Sequence, residues 1–194
     1  MAHVIGISGN MGAGKTTLTL ALAESLDASY LLWDDFDEIS ISPNDYIDWY
    51  KRGQDYSEWN YQKLAQTLNC LKCGKLTLHP ALNILIKPTS FIIFDAPLGR
   101  FHQQTGIFID TWIHINTPLD ISLCRWLLRD YTNPTKTKQD LLNELTFYLD
   151  KSRPLFDDRE LKANADLVVD GLLPIRQQVI VINRVIKNKN EASK

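Results

Sequence analysis

Cysteine is scarce in this chain and odd in number, at Cys70, Cys73 and Cys124. An odd set excludes the closed disulfide framework of small secreted domains. Cys70-Leu71-Lys72-Cys73 has the spacing of a metal knuckle. No second CxxC and no nearby His-x-x-His pair completes four ligands, so the thiols read as incidental and reduced. A basic excess is also missing. Lys and Arg number 21 against 23 Asp and Glu, for a net charge of -2. The basic residues are scattered, without the stripe that displaces counterions from a phosphate backbone, which argues against a nucleic-acid partner. No hydrophobic run approaches the roughly 20 residues of a membrane span. Met1 leads directly into an apolar segment that stops at glycines, with no basic region ahead of a long apolar stretch. The expected setting is cytoplasmic, with no membrane partner. No internal repeat or dividing linker appears. The 194 residues, 44% hydrophobic, suffice for one substantial core and are short for two. The expectation is a single domain over 1–187 with a polar tail at 188–194, present as a monomer or homodimer.

Short apolar runs alternate with amphipathic stretches. Strands are expected at His3 to Ser8, Ser29 to Trp33, Ser90 to Phe94, Thr111 to Ile115 and Asp166 to Val169. Helical spacing lies between them, at Thr16 to Leu26, Glu58 to Leu71 (closed by Gly74), Leu119 to Arg129 and Lys138 to Leu149. Continuous apolar strands separated by helices are the pattern of a parallel sheet covered on both faces, an α/β fold. Leu76 to Lys87, broken by Pro80, reads as a small hairpin.

Gly9-Asn10-Met11-Gly12-Ala13-Gly14-Lys15-Thr16 fits G-x-x-x-x-G-K-[ST] in full. An apolar strand precedes it and a helix follows. Glycines let the backbone curl so that consecutive N–H groups converge on phosphate oxygens, and the helix start adds its positive dipole end at that point. Lys15 can reach the outer phosphates, and the Thr16 hydroxyl is placed to ligate Mg²⁺. Thr17 completes the candidate nucleotide-binding set.

Two acidic positions belong to the same chemistry. Trp33-Asp34-Asp35-Phe36 closes the second strand, at the carboxyl edge where ligands of open α/β sheets bind, within an acidic cluster that includes Asp37. Phosphoryl transfer to a hydroxyl needs a carboxylate beside the acceptor. Only one of Asp34 and Asp35 is expected to face the phosphates, because successive side chains at a strand end diverge. Phe91-Ile92-Ile93-Phe94-Asp95 ends a buried strand in a carboxylate, the form of a Walker B element that holds Mg²⁺. Arg125 and Arg129, four residues apart on a helix, share one face and are candidates to clamp the phosphoryl group in transfer. The stretch from Tyr131 to Arg153 reads as a lid that excludes water.

These features resemble the uridine kinase and nicotinamide riboside kinase group of P-loop kinases. The match is carried by Ile5-Gly6-Ile7-Ser8-Gly9 running into Lys15-Thr16-Thr17-Leu18, by Asp34-Asp35-Phe36, and by Thr117-Pro118-Leu119-Asp120 with Arg125 and Arg129-Asp130. Its last part is Arg153-Pro154 followed by Ala165-Asp166-Leu167-Val168-Val169-Asp170-Gly171. The resemblance implies a P-loop NTPase three-layer sandwich: a five-stranded parallel sheet flanked by helices, with a helical lid near 130–153. It implies an ATP- and Mg²⁺-dependent kinase for a nucleoside-like small molecule. By position it makes Asp34 the acceptor-activating aspartate, Arg125 and Arg129 the lid arginines, Arg153 a contact to phosphates or acceptor, and Asp55 a ligand of ribose hydroxyls. The chain departs from the pattern at Asp95-Ala96-Pro97, where the group has Glu-Gly, and between Phe36 and Glu58.

That divergent stretch is rich in aromatics: Tyr46, Trp49, Tyr50, Tyr56, Trp59 and Tyr61. Most are expected to anchor packing, with Trp59 and Tyr61 chosen as contacts to a flat acceptor. Arg52 is the alternative signal, for an anionic acceptor that is already phosphorylated or coenzyme-like. A regulatory P-loop ATPase is the competing class. A GTPase switch is disfavoured because the chain lacks Asn-Lys-x-Asp.

Overall fold

The computed structural model describes residues 1–192, with side chains through residue 188. In chain order the elements are β1 (His3–Gly9), α1 (Lys15–Leu26), β2 (Ser29–Leu31), α2 (Tyr46–Lys51), α3 (Gln62–Lys72), β3 (Thr77–Leu78), β4 (Leu85–Ile86) and β5 (Phe91–Asp95). They continue with α4 (Gln103–Gly106), β6 (Thr111–Asn116), α5 (Leu119–Tyr131), α6 (Lys138–Phe147), α7 (Arg159–Asn164), β7 (Leu167–Asp170) and α8 (Ile175–Ala192). The expected five-stranded sheet is present, in the order β2-β5-β1-β6-β7, and every pairing in it is parallel.

The two faces follow from the period of two along each strand. Val4, Ile92, Phe94 and Trp112 point to one side, where they pack with Trp33, Phe36, Leu64 and Leu68. Ile5, Ile7, Ile93, Ile113 and Ile115 point to the other, against Leu18 and Leu22 of α1 and Ile182 and Ile186 of α8. Apolar side chains on both faces need cover on both faces, which places β1 in the middle of the sheet. The parallel direction brings the carboxyl ends of β1, β2, β5 and β6 to one edge, and the loops that leave them build the site.

Several local expectations shift for identifiable reasons. β2 ends at Leu31, not Trp33, because Asp34–Ile39 forms a 3-10 turn. α3 begins at Gln62, not Glu58. Asp55 caps a separate 3-10 turn at Tyr56–Glu58, and a bridge between Ile41 and Asn60 holds the next residues extended. The hairpin between Leu76 and Lys87 forms as β3 and β4. Four helices were not assigned from sequence: α2, the short α4 and α7, and α8. α2 is short and starts at Asp45, whose side chain accepts from Ile47 N and Asp48 N. α8 carries Gln178, Ile182 and Ile186 at helical spacing on its buried face. It runs through much of the segment expected as a polar tail; residues 193–194 of that tail lie outside the described residues. Among the described residues, no helix is long and apolar enough to cross a membrane.

Candidate active site

A cavity of about 590 Å³ opens at the carboxyl edge of the sheet. Every residue from Gly9 to Thr17 lines it except Ala13, which is buried beneath the loop. The loop curls because Gly12 and Gly14 take φ of 77° and 101°, in the left-handed region that costs a side chain energy. Gly12 also lies against α5: a Cβ built on it would stand 2.1 Å from Ser122 O. Gly14 has nothing within 4 Å of the same point. Gly12→Ala is therefore expected to cost about 3 kcal/mol through strain and overpacking together. Gly14→Ala should cost about 1 kcal/mol, through strain alone. Urea unfolding of both variants checks this; equal losses would show that α5 does not clamp the loop.

Inside the loop, Lys15 Nζ donates to Asn10 O at 3.2 Å, and the Thr16 hydroxyl donates to Asp95 Oδ2 at 3.0 Å. Asp95 ends β5, only 4% exposed, and its Oδ1 is buried without a hydrogen-bond partner. Burial pushes the Asp95 carboxyl up to about 6 against the pull of Lys15 and of the Thr16 bond, with the neighbouring Asp34 adding repulsion.

The 3-10 turn separates the two adjacent aspartates. Asp34 lines the cavity. Asp35 turns to His79, with Oδ2 3.7 Å from Nε2. His79 is itself fixed from three sides: Nδ1 accepts from Ala81 N and Leu82 N, and the ring packs on Phe36 at 4.4 Å. Asp35 thus faces the β3–β4 hairpin and does not line the cavity.

Aromatic residues form the wall beyond Asp34. Phe94 in the core, Trp33 and Tyr61 succeed one another, with Trp33 at 4.0 Å from Tyr61; Tyr46 and Trp59 stack at 5.3 Å. His102 sets the position of Trp59 by donating from Nε2 to Trp59 O at 2.8 Å while Nδ1 takes the Thr105 hydroxyl at 2.7 Å. Burial pushes His102 down, which favours this neutral form. Tyr61 donates its hydroxyl to Asp37 at 2.7 Å. Burial pushes the Asp37 carboxyl up; the Tyr61 bond pulls it down and Asp34 raises it again.

The predicted site residues thus divide. Lys15, Thr16, Thr17, Asp34, Asp95, Trp59, Tyr61 and Arg129 line one cavity with the glycine loop. Arg125 does not: its Nη1 donates to Gly171 O at 3.2 Å, so the helical face shared with Arg129 splits at the guanidinium groups. Asp55 stands outside as well, because its carboxylate is occupied in capping Ser57 N at 2.9 Å. Arg153 is exposed at the start of the Arg153–Phe156 turn, and the residues that reach the cavity there are Leu155 and Phe156. Arg52 is bound to Asp48 and Glu58 on the surface. Sequence reasoning did not select Asp37, Tyr46, Trp126, Glu144, Phe147 or Phe156, all of which line the cavity. Membership in the acidic cluster pointed to Asp37 and the aromatic cluster to Tyr46; the others carry no local signal.

No family model matches the chain. It is 24% identical over 205 residues to a uridine kinase of Saccharomyces cerevisiae, an alignment that covers 97% of this chain and 41% of that protein. It is 27% identical over 164 residues to a uridine kinase of Borrelia garinii, covering 79% of this chain and 78% of that one. Among solved structures, a gluconokinase from Sinorhizobium meliloti superposes with a TM-score of 0.52 at 16% identity, over 99% of this chain and 98% of the other. The structural likeness establishes the fold, and the uridine kinases supply the sequence relatives. Together with the complete phosphate loop, these likenesses support a P-loop small-molecule phosphotransferase.

Proposed function

We propose that the chain transfers the terminal phosphoryl group of ATP to a hydroxyl of a nucleoside-like acceptor, with Mg²⁺ as cofactor. The supporting observation is that one cavity contains the phosphate loop and, with it, a free-facing carboxylate beside an aromatic wall. The loop N–H groups and Lys15 bind and orient the outer phosphates. Asp34 accepts the proton of the acceptor hydroxyl as its oxygen bonds to the terminal phosphorus, and the bond to the bridging oxygen of ADP breaks. Arg129 stabilises charge on the transferring group. Residues 130–153 act as a lid, since Glu144, Phe147 and Ser152 line the cavity and their closure would shut out competing water.

Among the described residues no group of three or more His, Cys, Asp or Glu side chains could hold a metal alone. Thr16 and Asp95 would hold Mg²⁺ together with donor phosphate oxygens, and the unpartnered buried Asp95 Oδ1 fits such a site. When bound, the ion neutralises charge on the outer phosphates.

The acceptor half favours an uncharged hydroxylated ring. Tyr46 and Trp59 line this half with open surface, Trp33 and Tyr61 being almost wholly buried, and Asp37 offers an acceptor for hydroxyl hydrogens. The arginines on which an anionic acceptor would depend, Arg52 and Arg153, do not line the cavity. The names of the yeast and Borrelia relatives make uridine the first compound to try. The test is ADP release with ATP and Mg²⁺ across a panel of nucleosides and hydroxylated vitamins, with products identified by mass. Acceptor-dependent release and a gain of one phosphate are expected; normal nucleotide binding with no product across the panel would sink the acceptor class. Trp59→Ala should raise the acceptor KM about ten-fold, the size of one stacking contact. The KM for ATP should stay within about two-fold if the contact is confined to the acceptor.

A further inference from the structure

One residue of the phosphate loop is tied at both ends. Asn10 O accepts from Ala13 N at 3.0 Å and from Lys15 Nζ at 3.2 Å, so its carbonyl belongs to the loop. Its side chain belongs to a distant segment: Asn10 Nδ2 donates to Asp158 Oδ2 at 2.7 Å and to Phe156 O at 3.1 Å. Asp158 immediately precedes α7 and follows the turn that leaves the lid segment.

The Asp158 carboxylate is held in turn. The same oxygen, Oδ2, lies 3.2 Å from His114 Nε2, and His114 on β6 is fully buried. The direction of each bond can be worked out from one end. Trp112 Nε1 can only donate, and it does so to Ser8 Oγ at 2.7 Å. The Ser8 hydroxyl hydrogen then goes to His114 Nδ1 at 3.0 Å in preference to Ile113 O at 3.4 Å. With Nδ1 accepting, the ring proton sits on Nε2, aimed at Asp158. Donors therefore run one way, from Trp112 through Ser8 and His114 to Asp158, where the Asn10 amide joins them. A buried polar chain in which each donor finds its acceptor holds its last member rigidly.

Phe156 connects this clasp to the lid. Its ring stacks with Trp126 of α5 at 6.1 Å and meets Tyr148 edge-on at 5.3 Å. Tyr148 opens the π turn, Tyr148–Ser152, that follows α6. The chain leaving the lid and the second residue of the phosphate loop are thus fastened to each other, and both are fastened to the sheet.

We propose that Asp158 is a positioning residue for the phosphoryl donor. Through Asn10 it holds the phosphate loop in register with the chain that leaves the lid, which couples donor binding to lid position. It touches neither donor nor acceptor. The inference rests on the reading of the cavity as a nucleotide site. The alternative is a pin that only secures α7 to the sheet, and such a pin would leave nucleotide affinity alone.

The experiment is calorimetric binding of a non-hydrolysable ATP analogue with Mg²⁺ to the full chain and to Asp158→Ala, Asp158→Asn, Asn10→Ala and the Asp158→Ala/Asn10→Ala double variant. Thermal unfolding is measured on the same samples. Asp158→Ala and Asn10→Ala are each expected to weaken the analogue about ten-fold, as for loss of one hydrogen bond to a charged acceptor. The double variant should be no weaker than the worse single, because both remove the same link. Asp158→Asn keeps an oxygen able to accept from Asn10 and His114, so it should recover affinity to within about three-fold of the parent. Should Asp158→Ala fail to fold, Asp158→Glu replaces it: its displaced carboxylate should weaken the analogue without adding to Asn10→Ala. A lowered melting temperature with affinity unchanged would overturn the proposal, as would losses that multiply in the double variant. A parent chain that does not bind the analogue would overturn the nucleotide reading, and this inference with it.

Discussion

Asp34→Asn is expected to cut phosphoryl transfer about a thousand-fold while leaving nucleotide affinity nearly unchanged. Asp34 lines the cavity that contains Lys15 and Thr16, whereas Asp35 faces His79 and does not line it. An asparagine keeps the size of the side chain and can still accept a hydrogen bond from the acceptor hydroxyl, but it cannot take the proton. Loss of a positioned general base accounts for roughly 10²–10⁴ in rate. Single-turnover transfer measured with saturating ATP isolates this step from binding. The substitution has a second consequence, since the charge of Asp34 raises the carboxyls of both Asp37 and Asp95. Both should become stronger acids in the variant, and the shift is measurable by carbon NMR titration of their side chains. A variant that retains more than about a tenth of the parent rate would remove Asp34 as the base and turn attention to Asp37, which shares the cavity.

Asp95→Asn should have two effects of opposite sign. Burial raises this carboxyl from 3.8 to about 6, so it is harder to ionise in the folded chain than in the unfolded one. A group shifted in this direction favours folding below its unfolded value near 4, and that contribution is lost as pH rises through about 6. At pH 7.5 the ionised carboxylate therefore burdens the nucleotide-free fold by an amount on the order of 3 kcal/mol. The amide removes this burden. The variant should be more stable than the parent at pH 7.5, with the difference shrinking as pH falls toward 4. Transfer should fall about a hundred-fold or more at the same time, because the amide no longer offers a charged partner to Mg²⁺ beside Thr16. Urea unfolding at pH 4.5 and 7.5, run beside the transfer assay, reads both effects. A variant less stable than the parent at pH 7.5 would show that Lys15 and Thr16 fully compensate the buried charge before any ligand arrives.

The Asp95 site also explains a tension within the fold. Ile92, Ile93 and Phe94 are buried completely, and the strand they form ends in a carboxylate that the surroundings disfavour. A core strand delivers a charge to the cavity floor, where burial strengthens its attraction for a cation. Stability is lost at the position where the proposed Mg²⁺ site needs the charge.

Much of this architecture could be read from local pattern. The phosphate loop is a continuous string whose conformation is dictated by its own glycines, and β1, β5 and β6 are runs of apolar residues that only a covered sheet can bury. The hairpin β3–β4 and the helices after β1 and β6 follow from spacing and turn residues in the same way. The misplaced boundaries had local causes as well. Asp55 sits two residues ahead of Ser57, the position of an Asx turn, and its carboxylate is consumed by that cap. α8 contains Val179, Ile180, Val181 and Ile182 in succession, β-branched residues that obscure a helical face until α1 is in place to cover it.

The sequence by itself determined the proposed phosphate site at Gly9 to Thr17, because the loop that builds it is contributed by neighbours in the chain. Tertiary structure alone decided that Asp34 lines the cavity while Asp35 faces His79 of the hairpin. It also decided that Arg129 and not Arg125 lines the cavity, because Arg125 found Gly171 O, and that Asn10 would be anchored by a residue 148 positions away. Side-chain direction at a strand end or helix face is set by the partners that packing brings within hydrogen-bonding distance. Those partners lie far apart in the chain, so no local pattern encodes them.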